Sequence, residues 1–143
     1  MIDAYHKIKN ESMAAADSNV AVIAQMLGFG ISHILEAKGC LRQDKSKQRE
    51  QHIVKATEIV AGLRSVLDFN RGGDIAANLD QIYVYVEELL YSAHLQQDET
   101  FLDMAVQHLR PLKVAWEQVL KEEQNNAAKS LLNDKTESGA TRI

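Results

Sequence analysis

Five histidines, one cysteine and two glycine-containing segments are the positions at which this chain could carry chemistry. His6, His33, His52, His94 and His108 are scattered along it. A zinc site of the metalloprotease kind needs two histidines at i and i+4 on one helix face, and no such pair occurs. Di-iron carboxylate bundles use Glu-x-x-His on two helices, but here no Glu has a His three positions later. Glu87 and Glu88 likewise lack a partner at that spacing. Surface or internally satisfied histidines are therefore expected, with no metal and no cofactor. Cys40 follows Gly39 with no Cys-x-x-Cys partner and no catalytic signature around it, so an unreactive thiol is expected. Gly28-Phe29-Gly30 and Gly72-Gly73 follow no strand and lack the Lys of a phosphate-binding loop. Arg42, Lys45, Lys47, Arg49 and Lys55 form a basic stretch. Asp44 and Glu50 interrupt it, which suits a solvated connection and helix start better than an anion site. The residue types argue against an enzyme.

Composition narrows the partners. The 143 residues are 45% hydrophobic and 25% charged, with a formal net charge of −4, one Pro and one Cys. This length predicts one domain able to bury a core. The acidic balance argues against general nucleic-acid binding, which needs surplus Lys and Arg. A single Cys makes no internal disulfide, and the first residues, Met1 to Lys7, lack the apolar run of a signal peptide. No uninterrupted apolar run approaches the ~18 residues of a membrane span. A soluble, cytoplasmic domain is the expectation.

Four apolar periodicities then predict four helices. The first runs Val20, Ile23, Leu27, Gly30/Ile31 and Ile34, with Asp17, Ser18 or Asn19 as N-cap and Gly39 as C-cap. The second runs Ile53, Ala56, Val60, Leu63 and Leu67, ending in a turn at Arg71-Gly72-Gly73. Asp74 stands where a carboxylate caps the third, which runs Ile75, Leu79, Ile82, Val86, Leu89 and Ala93. The fourth runs Leu102, Ala105, Leu109, Leu112, Trp116 and Val119/Leu120, with Pro111 predicting a kink near Ala105–Gln107. These patterns predict an all-α fold, an antiparallel up-down four-helix bundle over 19–123. An irregular arm (1–18) precedes it. A polar tail (124–143) follows, disordered on composition, although Leu131-Leu132 could extend a helix.

The helices carry more apolar surface than a bundle needs. At about 100° per residue, the third helix has an apolar sector of roughly half its circumference, against the ~100° stripe that a core requires. Tyr83, Tyr85 and Leu90 widen it, and Val84, Tyr91 and Leu95 fall on the face opposite the core. Val22 and Phe29 lie opposite the stripe of the first helix, and Ile59 and Val66 flank that of the second. Such a surplus predicts a groove for an amphipathic partner helix or a homodimer face. The docking residues expected within the bundle are Ile59, Val66, Leu79, Tyr83, Val84, Leu90, Tyr91 and Leu95.

The same region carries a resemblance. Gly72-Gly73-Asp74-Ile75-Ala76, Asn78-Leu79, Ile82-Tyr83 and Tyr85-Val86 resemble the G-G-E-I-A-x-N-L-x-x-L-Y-x-Y-M signature of the FliS family of flagellar secretion chaperones. Leu89-Leu90, Ala93, Asp98, Leu109 and Ala115-Trp116 continue the likeness. Upstream, Ala4-Tyr5 resembles the family's N-terminal A-Y, and Met26-Leu27 with Gly30 its M-L-[FY]-[DE]-G-A segment. In that segment Gly28 and Phe29 stand in place of the aromatic and acidic residues, and the Ser-Pro that opens the family's first helix is absent.

The resemblance implies a cytoplasmic helical-bundle chaperone. It would hold the disordered C-terminal segment of flagellin, prevent premature polymerisation and deliver the client to the flagellar type III export apparatus. It further implies that the arm, through Tyr5 and Ile8, folds over the hydrophobic groove until the client displaces it. Expected partners are thus flagellin and, beyond it, export-apparatus components, with neither nucleic acid nor membrane insertion, for a monomer or a homodimer. The alternative is a self-associating bundle adaptor of flagellum assembly whose client is not flagellin.

Overall fold

A computed structural model describes the backbone of residues 18–141 and the side chains of 20–134. The arm, with Tyr5 and Ile8, lies outside the described residues. Four helices follow one another: α1 (Ser18–Arg42), α2 (Ser46–Ser65), α3 (Phe69–Gln96) and α4 (Glu99–Thr141). The connections over 43–45, 66–68 and 97–98 are too short for anything but antiparallel neighbours. Cross-helix pairs confirm the directions. Glu50 and Arg64 of α2 meet His94 and Asp80 of α3, while Lys38 and Arg42 of α1 meet Asp103 and Glu99 of α4. Helix α1 packs against α2 and α4, and α3 packs against the same two, which closes a four-cornered up-down bundle.

The core is apolar and comes from all four helices. Leu27 and Ile34 of α1, Val60 and Leu63 of α2, Val86 and Leu90 of α3, and Leu102 and Leu109 of α4 are fully buried. Helix α1 is long and apolar enough to cross a membrane by length and composition alone. Its buried residues instead form part of this core, the other environment in which such a helix is stable. Polar pairs clamp the rims. Arg64 donates from Nε to Asp80 Oδ1 at 2.7 Å and from Nη1 to Glu87 Oε2 at 3.4 Å. Lys38–Asp103 (2.7 Å) and Arg42–Glu99 (2.9 Å) form two rungs between α1 and α4. The Arg42 guanidinium holds the Glu99 carboxyl below the usual carboxylate range. Arg49, placed in solvent by the charge run, is only 4% exposed.

Helix ends differ from the sequence reading in instructive ways. Gly39 does not stop α1, which continues to Arg42. Asp44 takes the left-handed position instead (φ 56°), a conformation that Asp tolerates. Asp68, rather than Asp74, caps α3, its Oδ1 accepting from the Asn70 and Arg71 amides at 3.1 Å. A first turn therefore forms before the glycines, and the expected break falls within the helix at Gly73 (φ 48°, ψ −120°). Ile75, counted as core, is 71% exposed because it follows that break, where the helical phase is reset. Asp98 Oδ1 caps α4 by accepting from the Thr100 amide at 2.9 Å.

Helix α4 runs past Pro111 without interruption. With 43 residues it is about 65 Å long, far beyond its neighbours. The polar tail begins as its continuation, where Ala127, Ala128, Leu131 and Leu132 favour helix. Residues 124–134 are nevertheless all exposed, as a polar tail should be.

The two kinds of glycine should respond oppositely to alanine. At Gly73 the positive φ is available to glycine at little cost, so Gly73→Ala should destabilise by about 1–3 kcal/mol. Gly39 lies within α1 with open space where a Cβ would go, so Gly39→Ala should stabilise by about 0.5 kcal/mol. Urea denaturation of the two variants measures both signs.

Candidate functional site

The bundle leaves several large apolar side chains uncovered, and they are not randomly placed. On α3, Val84, Tyr91 and Leu95 share one face, since steps of seven and four residues return nearly to the same angle. Tyr91 is 64% and Leu95 60% exposed, while Val84 is half-buried. The same face contains Asp80, Glu87 and His94, which reach toward α2. The pairing of Glu50 with His94 and of Arg64 with Asp80 brings Val54 of α2 level with Leu90 and Tyr91. Val54 is exposed too. The flank between α2 and α3 thus carries an apolar set, Val54, Val84, Tyr91 and Leu95, interleaved with the Arg64–Asp80, Arg64–Glu87 and Glu50–His94 pairs.

A second apolar surface lies between α1 and α4. Leu35, Val106, Pro111 and Val114 line an open groove of about 590 Å³, together with the Lys38–Asp103 pair, Gln107 and Arg110. Pro111 has no amide hydrogen, so the Gln107 carbonyl loses its usual helical donor beside these apolar walls. Leu35 and Val114 are exposed. This groove escaped the sequence reading because each residue looks like an isolated hydrophobe on its own helix. Only the α1–α4 pairing brings them together.

The expected docking residues divide. Tyr91 and Leu95 are exposed and Val66, Leu79 and Val84 half-buried. Ile59, Tyr83 and Leu90 are core residues and present no surface, with Tyr83 only 1% exposed. Val22, assigned to an outer face, is buried as well. The reason is common to all four: every helix has two neighbours in a closed four-cornered bundle, so its buried arc is wider than a single stripe. Phe29 does stand out in solvent, as expected. Tyr85 is partly covered by an edge-on contact with His108 of α4, with ring centroids 4.9 Å apart.

One polar cluster also forms on the opposite side of the α1–α2 pair's shared seam from the core. His33 Nδ1 lies 3.0 Å from His52 Nδ1, and His52 Nδ1 lies 3.0 Å from Glu36 Oε2. Burial, then the neighbouring His52, pushes the His33 imidazole below its ordinary range. Spacing searches within one helix pass over this group, because its third member comes from α2.

Comparison with known proteins decides the family. Residues 1–123 match the family model described as flagellar protein FliS. The chain belongs to the FliS family. A flagellar secretion chaperone FliS of Vibrio cholerae serotype O1 is 30% identical over 127 residues, covering 89% of this chain and 93% of that protein. Flagellar secretion chaperone FliSB of Pseudomonas aeruginosa is 28% identical, over 79% of this chain and 90% of its own. A FliS of Salmonella typhimurium is 29% identical over 82% of this chain. Membership places this FliS-family chain among chaperones of flagellar biogenesis and not among enzymes.

Burial raises the Tyr83 phenol to about 12. A raised acid favours the protonated folded state, so this stabilisation is complete below pH 10 and is lost as pH rises from 10 to 12. Tyr83→Phe should flatten that part of the alkaline denaturation curve. Charge substitutions should separate the two tyrosines further. Tyr83→Asp should abolish the fold by burying an unpaired carboxylate, whereas Tyr91→Asp should change stability by no more than about 0.5–1 kcal/mol. Circular dichroism with thermal melting tests both.

Proposed function

We propose that this protein is a cytoplasmic export chaperone for flagellin. It holds the disordered C-terminal segment of the client, prevents premature polymerisation and hands the client to the flagellar type III export apparatus. Family membership supports the class of activity. The observation that carries the binding mode is the face of α3 on which Tyr91 and Leu95 are exposed and Val84 half-buried, with exposed Val54 of α2 level with Tyr91. An amphipathic client helix would lay its anchors at i, i+3, i+4 and i+7 along such a face. Tyr91 suits the role, with an apolar ring for the contact and a hydroxyl left at its edge.

The energetics require a broad contact. A client that folds on binding loses ordering entropy, which only substantial apolar burial offsets. Half-buried Val66 and Leu79 extend the surface. Ile59, Tyr83 and Leu90 support it from beneath rather than touching the client. The arm, through Tyr5 and Ile8, covers the client surface until displaced, as the family resemblance implies.

Mixing the purified protein with a peptide from the C-terminus of its cognate flagellin should give a one-to-one complex in sedimentation and calorimetry. Tyr91→Asp should weaken it at least about tenfold, or ~1.4 kcal/mol, while leaving helicity intact. No binding at high micromolar peptide would overturn the reading. A concentration-independent dimer indifferent to the peptide would favour a self-associating adaptor instead.

A further inference from the structure

We infer that His33, Glu36 and His52 form a zinc-binding site that ties α1 to α2. Two imidazole Nδ1 atoms 3.0 Å apart cannot both be protonated, since one must accept what the other donates. His52 Nδ1 also lies 3.0 Å from Glu36 Oε2. Three lone-pair-bearing atoms therefore converge within 4.8 Å of one another, with one proton to share between the two rings on that side. A cation satisfies all three together.

The spacing fits one small ion. Bonds of about 2.0–2.1 Å separate neighbouring ligand atoms by about 2.8–3.0 Å at right angles and about 3.3–3.4 Å at the tetrahedral angle. Both short separations here, 3.0 Å, lie at the right-angle end and need open by only about 0.3 Å to reach the tetrahedral value. The carboxylate of Glu36 is more than half exposed, so it can swing to close the remaining edge, while the two imidazoles are held in the seam. Two nitrogens and one oxygen form a borderline set suited to zinc, and the fourth position remains for water.

Position in the fold supports the assignment. His33 and Glu36 are one turn apart on α1, and His52 projects from the helix that packs most extensively against it. The rings lie 5.3 Å apart at 32°, already side by side. Lys55 is the nearby cation that opposes a metal, and Glu36 is the anion that offsets it. An ion held here joins the two helices on the outer side of their seam, beside the Glu36–His52 pair.

The test uses the full-length, tag-free chain stripped with EDTA and titrated with zinc alone against a chromogenic chelator. One ion per chain should bind at micromolar zinc or below, and the melting temperature should rise with zinc concentration by mass action. His52→Ala should abolish the stoichiometric site. Glu36→Gln, an exposed substitution that keeps the fold, should weaken binding at least about tenfold. His94→Ala and His108→Ala should leave it unchanged. Cobalt in place of zinc should give visible absorption bands that the Glu36→Gln variant shifts. Absence of stoichiometric binding at 100-fold molar excess of zinc would overturn the proposal. So would binding that survives both His52→Ala and Glu36→Gln.

Discussion

Helix α1 sets the terms for everything else. Val22, Met26, Leu27, Ile31, Ile34 and Ala37 are all buried, so more of its circumference is apolar than one neighbouring helix can cover. Left in water, such a helix would expose enough apolar surface to aggregate or seek a membrane. Two neighbours solve the problem, and α2 and α4 provide them. Because α2 and α4 are then held apart on either side of α1, α3 has a defined place between them at the fourth corner. The order of the chain and its short connections permit this closure only with alternating directions.

How much of this was legible in the sequence depends on which physical quantity is asked for. Helix existence was legible, because periodicity such as Ile53, Ala56, Val60 and Leu63 reports the axis of burial directly. The break near Gly72-Gly73 was legible because only glycine takes Gly73's backbone angles cheaply. Its exact placement was not. Asp68 competes with Asp74 as a cap and wins by holding two amides, which starts the helix at Phe69 rather than at Ile75. The width of each buried arc was also hidden. A one-dimensional wheel assumes a single stripe, so it placed Tyr83, Leu90, Ile59 and Val22 at the surface although each meets a second neighbour. Cross-helix clusters were the least legible. The α1–α4 groove and the His33–Glu36–His52 group depend on antiparallel register, which no local pattern encodes.

Proline shows how a local defect can be placed without disturbing the fold. In a helix interior it removes one backbone bond and crowds the carbonyl four residues earlier, at a cost of about 3 kcal/mol. Pro111 is exposed on the side of α4 away from the core, while Leu109 two residues before it is fully buried. The apolar packing of Leu102, Ala105 and Leu109 supports the helix on one side of the proline, and the partly buried Leu112 and Trp116 on the other. The helix therefore continues, and Gln107, whose carbonyl loses its usual donor to the proline, is a residue that lines the groove rather than the core.

Helix α3 makes the corresponding division by rotation alone. Tyr83 and Val84 are adjacent in sequence, yet a turn of about 100° takes one into the core and leaves the other at the rim. Tyr91 and Leu95 continue the outer face; Val86, Leu89, Leu90 and Ala93 fill the inner one. The same helix thus anchors itself with one set of residues and offers another to solvent. Arg64, bridging Asp80 and Glu87, fixes its rotation relative to α2 at the boundary between the two sets. A surface mounted this way is formed before any partner arrives. A client that folded as it bound would then bear the ordering cost alone, and the apolar contact would have less to offset.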